Sequence, residues 1–209
     1  MPDLAVLASP IFPRIPTGFP SLDALLGGGW PTGMLTEVLV SGPGSGELGL
    51  LSPALARLTT GGTAGADDAS DAGPRWVILI APPWIPYAPG LSWQGLDLER
   101  VLVVRVRQSP EILWAMDETL RSGTCAAVIA WTGATGPQRA EHSLLRRLHL
   151  LAGKQQAWAV LVRAARLRRQ RSPARLRLEL LSPAPDTLQI EIFRNGWRGT
   201  GAVTVERRF

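Results

Sequence analysis

Short runs rich in Val, Ile and Leu recur along the chain and alternate with stretches of helical character. The apolar runs lie at residues 34–40, 76–80, 101–105, 126–131 and 158–162. The helical stretches lie around residues 50–58, 91–96, 110–121 and 140–152. Strands that are apolar on both faces need cover on both faces, and the helical crossovers of a parallel sheet supply it. The pattern therefore predicts an α/β fold with a mostly parallel sheet flanked by helices.

The sequence after Ala174 has a different pattern. Shorter strands with alternating apolar residues are predicted at residues 176–181, 188–193 and 202–205. Turn-forming residues separate them, at 183–186 and at Asn195-Gly196. We expect these C-terminal strands to form antiparallel hairpins that extend the same sheet.

The length of the chain suits a single domain, which we place at residues 16–209 behind an N-terminal segment of residues 1–15. That segment is apolar, but Pro2, Pro10 and Pro13 interrupt it and no basic residue precedes Arg14. We expect neither a signal peptide nor a membrane anchor, and therefore a cytoplasmic protein with no membrane partner. Residues 59–74 are small and polar, which predicts a flexible loop. Cys125 lies in an apolar run and is predicted to be a core residue.

Basic residues are concentrated in one part of the chain. The net charge is +5, yet residues 139–177 contain 11 Arg or Lys residues and one acidic residue, Glu141. Such a concentration predicts a surface for phosphate groups or for an acidic partner. His142 and His149 lie in the same region without Cys, Asp or Glu at ligand spacing. We therefore place both histidines on a helix surface and expect no metal site.

A glycine-rich loop joins the first apolar run to the first helical stretch. Nucleotide-binding proteins place G-x-x-x-x-G-K-[ST] at such a junction, where the Lys contacts phosphates and the hydroxyl binds Mg²⁺. Here Glu47 and Leu48 hold those two positions, and Ser41 replaces the first Gly. We expect no nucleotide and no other cofactor at this degenerate loop, which comprises Ser41, Gly42, Gly44, Ser45, Gly46, Glu47 and Leu48. The alternative is an ordinary Gly/Ser turn unrelated to nucleotide binding.

The residues around this loop resemble the core of the RecA recombinase family. The opening motif of that family is matched by Thr17-Gly18-Phe19-Pro20-Ser21-Leu22-Asp23 and Gly27-Gly28-Gly29-Trp30-Pro31-Thr32-Gly33. Shorter matches follow in RecA order at Thr36-Glu37-Val38, Gly95-Leu96-Asp97 and Arg121-Ser122-Gly123. The resemblance covers nearly the whole chain and implies a RecA-like fold.

The catalytic positions of the RecA family hold other residues here. Pro83 or Trp84 stands near the position of the catalytic Glu, and Trp131 ends the strand that carries the Walker B Asp in that family. Val162-Arg163-Ala164 replaces the phosphate sensor. Together with the substituted loop, these are four independent losses that are hard to reconcile with a hydrolase. The resemblance thus implies a protein that is not an enzyme.

Further motifs resemble the ImuA family of inactive RecA-like proteins. They are the degenerate loop, Ala81-Pro82-Pro83 followed by Pro86-Tyr87-Ala88-Pro89, and Ser172-Pro173-Ala174-Arg175-Leu176-Arg177-Leu178. Members accompany ImuB and an error-prone replicative-type polymerase in damage-induced mutagenesis. The resemblance implies a non-enzymatic accessory subunit of a translesion synthesis (mutasome) assembly, induced in the SOS response. ImuB is then the expected partner and RecA a second candidate. The alternative is a SulA-like cell division inhibitor that binds FtsZ.

The resemblance also implies two contact regions. Residues 163–175 occupy the position of the second DNA-binding loop of RecA, and we expect an exposed, mobile basic loop there. Its candidate contacts to the phosphates of single-stranded DNA are Arg163, Arg166, Arg168, Arg169, Arg171 and Arg175; the alternative is a solvated loop without a ligand. Residues 4–15 correspond to a segment that packs on a neighbour in RecA-type proteins, and here they either contact a partner or lie over this chain's own core. The sequence leaves a homo-oligomer open.

Overall fold

The structure is a computed structural model that describes residues 13–61, 75–132, 138–184 and 186–206. Its elements follow one another as β1 (Arg14–Ile15), α1 (Pro20–Leu26), β2 (Trp30–Pro31), β3 (Met34–Val40), α2 (Glu47–Thr60), β4 (Trp76–Ile80), α3 (Ala88–Trp93), β5 (Val101–Val104), α4 (Ser109–Ser122), β6 (Cys125–Trp131), α5 (Gln138–Gln155), β7 (Trp158–Ala164), β8 (Leu176–Ala184), β9 (Thr187–Asn195) and β10 (Gly201–Glu206). Short 3₁₀ turns lie at Leu98–Arg100 and Ala165–Leu167.

The central sheet has eight strands in the order β10-β9-β8-β3-β7-β6-β4-β5. The strands from β8 to β5 are mutually parallel, whereas β9 and β10 run antiparallel to their neighbours. This confirms the predicted α/β fold with a mostly parallel sheet flanked by helices and antiparallel C-terminal strands. Every predicted strand is present at its predicted place.

Two cores lie on the two faces of the sheet, because side chains alternate along each strand. On β3, Leu35 packs into the core beneath α4 and α5, whereas Val38 packs into the core beneath α1, α2 and α3. The strands β3 and β6 are buried along their whole length, as a sheet covered on both faces requires. Cys125 is buried in β6, which confirms its prediction as a core residue.

A small two-stranded sheet attaches the start of the described chain to the domain. The strand β1 pairs antiparallel with β2, and Arg14 donates a hydrogen bond of 3.0 Å to the carbonyl of Leu26. Arg14 also lies 5.0 Å from the ring centre of Trp197. The last residues of the predicted N-terminal segment thus pack as part of the domain. Residues 4–15 are predicted to contact a partner or to lie over this chain's own core, and most of them lie outside the described residues.

The loop predicted at residues 59–74 begins later than expected. Thr59 and Thr60 belong to α2, which ends at a left-handed Gly61. Residues 62–74 lie outside the described ranges. None of the helices in those ranges is both long enough and apolar enough to cross a membrane.

Candidate functional site

The degenerate loop lies at the edge of the sheet where the parallel strands end, the usual location of ligand sites in α/β folds. Its turns depend on glycine, since Gly44 has φ 75° and Gly46, the residue that caps α2, has φ 97°. Both values are in the left-handed region, where side chains other than glycine are strained. The loop therefore keeps the tight strand-to-helix turn that its glycines predict.

The Glu47 carboxylate fills the inside of this loop. The side chain is only 3% exposed. Its Oε1 atom accepts hydrogen bonds from Trp131 Nε1 at 3.1 Å and from the Gly44 backbone N–H at 3.4 Å. Glu47 is also the first residue of α2, where the positive end of the helix dipole stabilises a negative charge. Backbone N–H groups at such a turn bind phosphates in other proteins. Here the N–H group of Gly44 is bonded to the Glu47 carboxylate of the same chain.

A groove runs along this edge beside the loop. It consists of two adjoining cavities of about 370 and 250 Å³, both of which are lined by Glu47, Pro83 and Trp131. We call them together the carboxyl-edge groove. Trp84 stands at its rim and is 69% exposed, yet a methyl group added at Gly44 would lie 3.6 Å from its Nε1 atom. Trp84 thus partly covers the loop.

The structure brings together the residues that stand at the positions of the RecA catalytic residues in the sequence comparison. Glu47, Pro83, Trp131 and Arg163 all line the larger cavity, and Trp84 lines the smaller one. Glu47 is the one acidic residue among the lining residues of the two cavities, and its carboxylate is already bonded within the loop. Among the residues that the structure describes, no three His, Cys, Asp or Glu side chains cluster as a metal site would require.

The basic loop predicted at residues 163–175 is instead an ordered crossover that packs on the sheet. The strands β7 and β8 lie on either side of β3, so the chain between them has to pass over one face of β3. Glu37 projects from the centre of β3 on that face and is fully buried. Its carboxylate accepts hydrogen bonds from Arg177 Nε at 2.6 Å and from Ser172 Oγ at 2.7 Å. Arg177 also donates to the crossover's own carbonyl groups, those of Leu167, Arg168 and Gln170.

Arg163 is not a surface residue, which corrects its prediction as a DNA contact. Its side chain is fully buried. The guanidinium pairs with Glu37 at 3.2 Å, with Glu141 of α5, and with the amide oxygen of Gln170 at 3.0 Å. A buried arginine that is paired with two carboxylates is unavailable to a phosphate at the surface. Its role is to tie α5, β3 and the crossover together.

Arg168 differs from the free, solvated cation that the sequence predicts, because the structure pairs it with carboxylates. It pairs with Glu179 at 2.6 Å and with Glu191 at 2.5 Å, and it stacks on the Phe193 ring with 4.4 Å to its centre. The hydrogen bonds with Glu191 and then with Glu179 raise the pKa of the Arg168 guanidinium. The hydrogen bond from Arg168 also lowers the pKa of the Glu191 carboxyl. These contacts fix the crossover over β8 and β9.

Four of the six predicted arginines remain exposed: Arg166, Arg169, Arg171 and Arg175. Arg166 lines the carboxyl-edge groove. Arg175 lies at the opposite edge, because it precedes Leu176, the partner of Thr36 near the start of β3. The basic surface thus extends along the crossover from one edge of the sheet to the other.

His149 is half-buried, which corrects its placement on the helix surface. Its Nδ1 atom accepts a hydrogen bond of 3.2 Å from the Leu35 backbone N–H. Burial lowers the pKa of the His149 imidazole, and the charge of Arg175 lowers it further. A neutral imidazole suits an accepting nitrogen, so His149 joins α5 to the start of β3 and is not available as a metal ligand through this atom.

No protein-family model matches this chain, and no curated protein is significantly similar to it.

Proposed function

We propose that the protein is a non-enzymatic, RecA-like accessory subunit of a damage-induced translesion synthesis assembly, of the ImuA type, and that it acts by binding ImuB. The observation that carries the proposal is the buried Glu47 carboxylate, which is bonded to Trp131 and to the loop backbone. A loop whose own carboxylate takes up a backbone N–H group favours a role in binding partners over nucleotide chemistry.

The magnitudes support the loss of nucleotide binding. Two like charges about 4 Å apart repel each other by roughly 4 kcal/mol at an effective dielectric constant of about 20. Exchanging the attractive Lys for a Glu thus changes the interaction by up to roughly twice that amount before screening. A micromolar ligand is held by only about 8 kcal/mol. The exchange at Glu47 is therefore as large as the whole binding free energy of such a nucleotide.

The edge strand β5 offers a surface for a protein partner. It pairs only with β4 among the described strands, and it exposes Leu102 by 49% and Val103 by 37%. An exposed apolar strand edge is a template for association with another chain. This supports a protein-binding role for the domain.

Capture by the immobilised, full-length protein tests the proposal. We expect it to retain purified ImuB and not FtsZ, with RecA as a second candidate. Leu102→Lys should weaken the capture of ImuB by about tenfold if the β5 edge forms part of the contact. Leu150→Lys, which changes a 62% exposed leucine on α5, is the matched control and should bind as the wild type does. Retention of FtsZ without ImuB would contradict the proposal and favour the SulA-like division inhibitor.

A further inference from the structure

Aromatic side chains stand exposed on one wall of the carboxyl-edge groove. Trp84 and Tyr87 are 69% and 68% exposed, and both line its smaller cavity. The segment that carries them is stiffened by Pro82, Pro83, Pro86 and Pro89. A ring that a stiff segment holds out in water keeps one face free and loses little conformational entropy when a flat ligand stacks on it.

The other wall of the groove is basic. Arg166 lines the larger cavity, is exposed, and makes no ion pair with any acidic residue in the described ranges. Because the two cavities share three of their lining residues, Trp84 and Arg166 border one continuous groove. The exposed Arg169 and Arg171 follow along the crossover and extend the positive surface away from the groove.

Glu47, the acidic residue among those that line the groove, repels phosphate from the loop and leaves Arg166 at the rim as the phosphate contact. Glu47 is 3% exposed, and its carboxylate is turned toward Trp131 and Gly44. A phosphate at the rim therefore meets Arg166. A wholly apolar partner would leave the Arg166 guanidinium without a counter-charge. The positive charge of Arg166 therefore favours a polyanion as the ligand of the groove. Aromatic platforms beside a basic rim are typical of sites for single-stranded nucleic acid.

We propose that the carboxyl-edge groove binds single-stranded DNA, with a base stacked on Trp84 and a backbone phosphate on Arg166. This proposal goes beyond the proposed function, which names protein partners only, and it replaces the contact to phosphates alone that the sequence predicts by a contact to phosphates and bases. Every base has a π face, so stacking adds affinity without sequence preference. The protein then distinguishes a strand with bases from a bare sugar–phosphate backbone.

Fluorescence anisotropy with oligothymidylate and with an abasic strand of equal length tests this site, because the two strands differ only in their bases. The wild type should bind oligothymidylate about fivefold or more tightly than the abasic strand. Trp84→Ala should remove most of this preference and leave the salt dependence unchanged. Arg166→Ala should keep the preference and reduce the slope of log affinity against log salt by about 1.

Trp93→Ala is the matched control, since it removes an 82% exposed tryptophan that lines neither cavity. It should bind both strands as the wild type does.

An unchanged preference in Trp84→Ala would overturn the groove site, and ImuB capture by the wild type would then leave the proposed function standing. Binding of neither strand by the wild type would overturn the DNA contact itself. Loss of ImuB capture in Trp84→Ala with unchanged DNA binding would make the groove a protein-docking surface and contradict this proposal.

Discussion

Replacing Glu37 by alanine should lower the free energy of unfolding by about 3–5 kcal/mol, because the loss of one member of a buried ion pair leaves uncompensated charge. Glu37 is fully buried and pairs with Arg163 and Arg177, both of which are buried as well. Arg163 would keep Glu141, whereas Arg177 would keep backbone carbonyls and the Phe193 ring but no carboxylate. Urea denaturation followed by circular dichroism measures the change.

Glu191→Ala provides the comparison for this prediction. Glu191 also pairs with an arginine, Arg168, but its side chain is 38% exposed. Partly exposed ion pairs contribute about 0–1 kcal/mol, so the loss should be small. Equal losses in the Glu37 and Glu191 variants would show that the buried network beneath the crossover does not form as described.

Gly29→Ala should destabilise the protein by about 3 kcal/mol or more, since backbone strain and overpacking each cost about 1–3 kcal/mol. Gly29 has φ 127°, and an added Cβ would lie 2.2 Å from the carbonyl oxygen of Ile15. That oxygen belongs to β1, so the pairing of β1 with β2 has to shift to make room. Thermal unfolding gives the stability. Hydrogen exchange at the Thr32 N–H, which donates to the Pro13 carbonyl at 2.9 Å, reports whether the segment that contains β1 has detached.

Gly42→Ala is the matched glycine variant within the degenerate loop. A Cβ at Gly42 would meet no atom within 4 Å, and its φ is not in the left-handed region. Its stability should therefore stay within about 1 kcal/mol of the wild type, with a small gain from reduced freedom of the unfolded chain. A Gly29→Ala protein as stable as Gly42→Ala would contradict the close approach of β1 to Gly29.

The parallel part of the sheet could be predicted from the sequence because its strands are apolar on both faces. A run such as Trp76–Ile80 has to be covered by helices wherever it lies, and the residues between the runs supply those helices. Shorter elements were not predicted. The helix α1 has 7 residues and the strands β1 and β2 have 2 each, so none of them shows a period long enough to detect.

Composition does not reveal which arginines of residues 163–177 pair with acidic residues. The paired acids lie elsewhere in the chain, and Glu37 is separated from Arg163 by 126 residues. One feature of the sequence does indicate a buried ion pair. Glu37 interrupts the apolar run of β3, and a charge inside a buried strand needs a buried partner. The strands β7 and β8 lie on either side of β3, and they supply the buried partners, Arg163 and Arg177.

Isothermal titration with Mg-ATP tests the central claim, that Glu47 has replaced a nucleotide phosphate in the degenerate loop. We expect no binding heat and no hydrolysis from the wild type, because its loop offers a carboxylate where a nucleotide needs a Lys. Gly42→Trp is the comparison, since Gly42 lines the larger cavity and has open space around it; a tryptophan there fills the mouth of the loop. Binding of Mg-ATP tighter than about 1 mM by the wild type, lost in a folded Gly42→Trp protein, would contradict the claim.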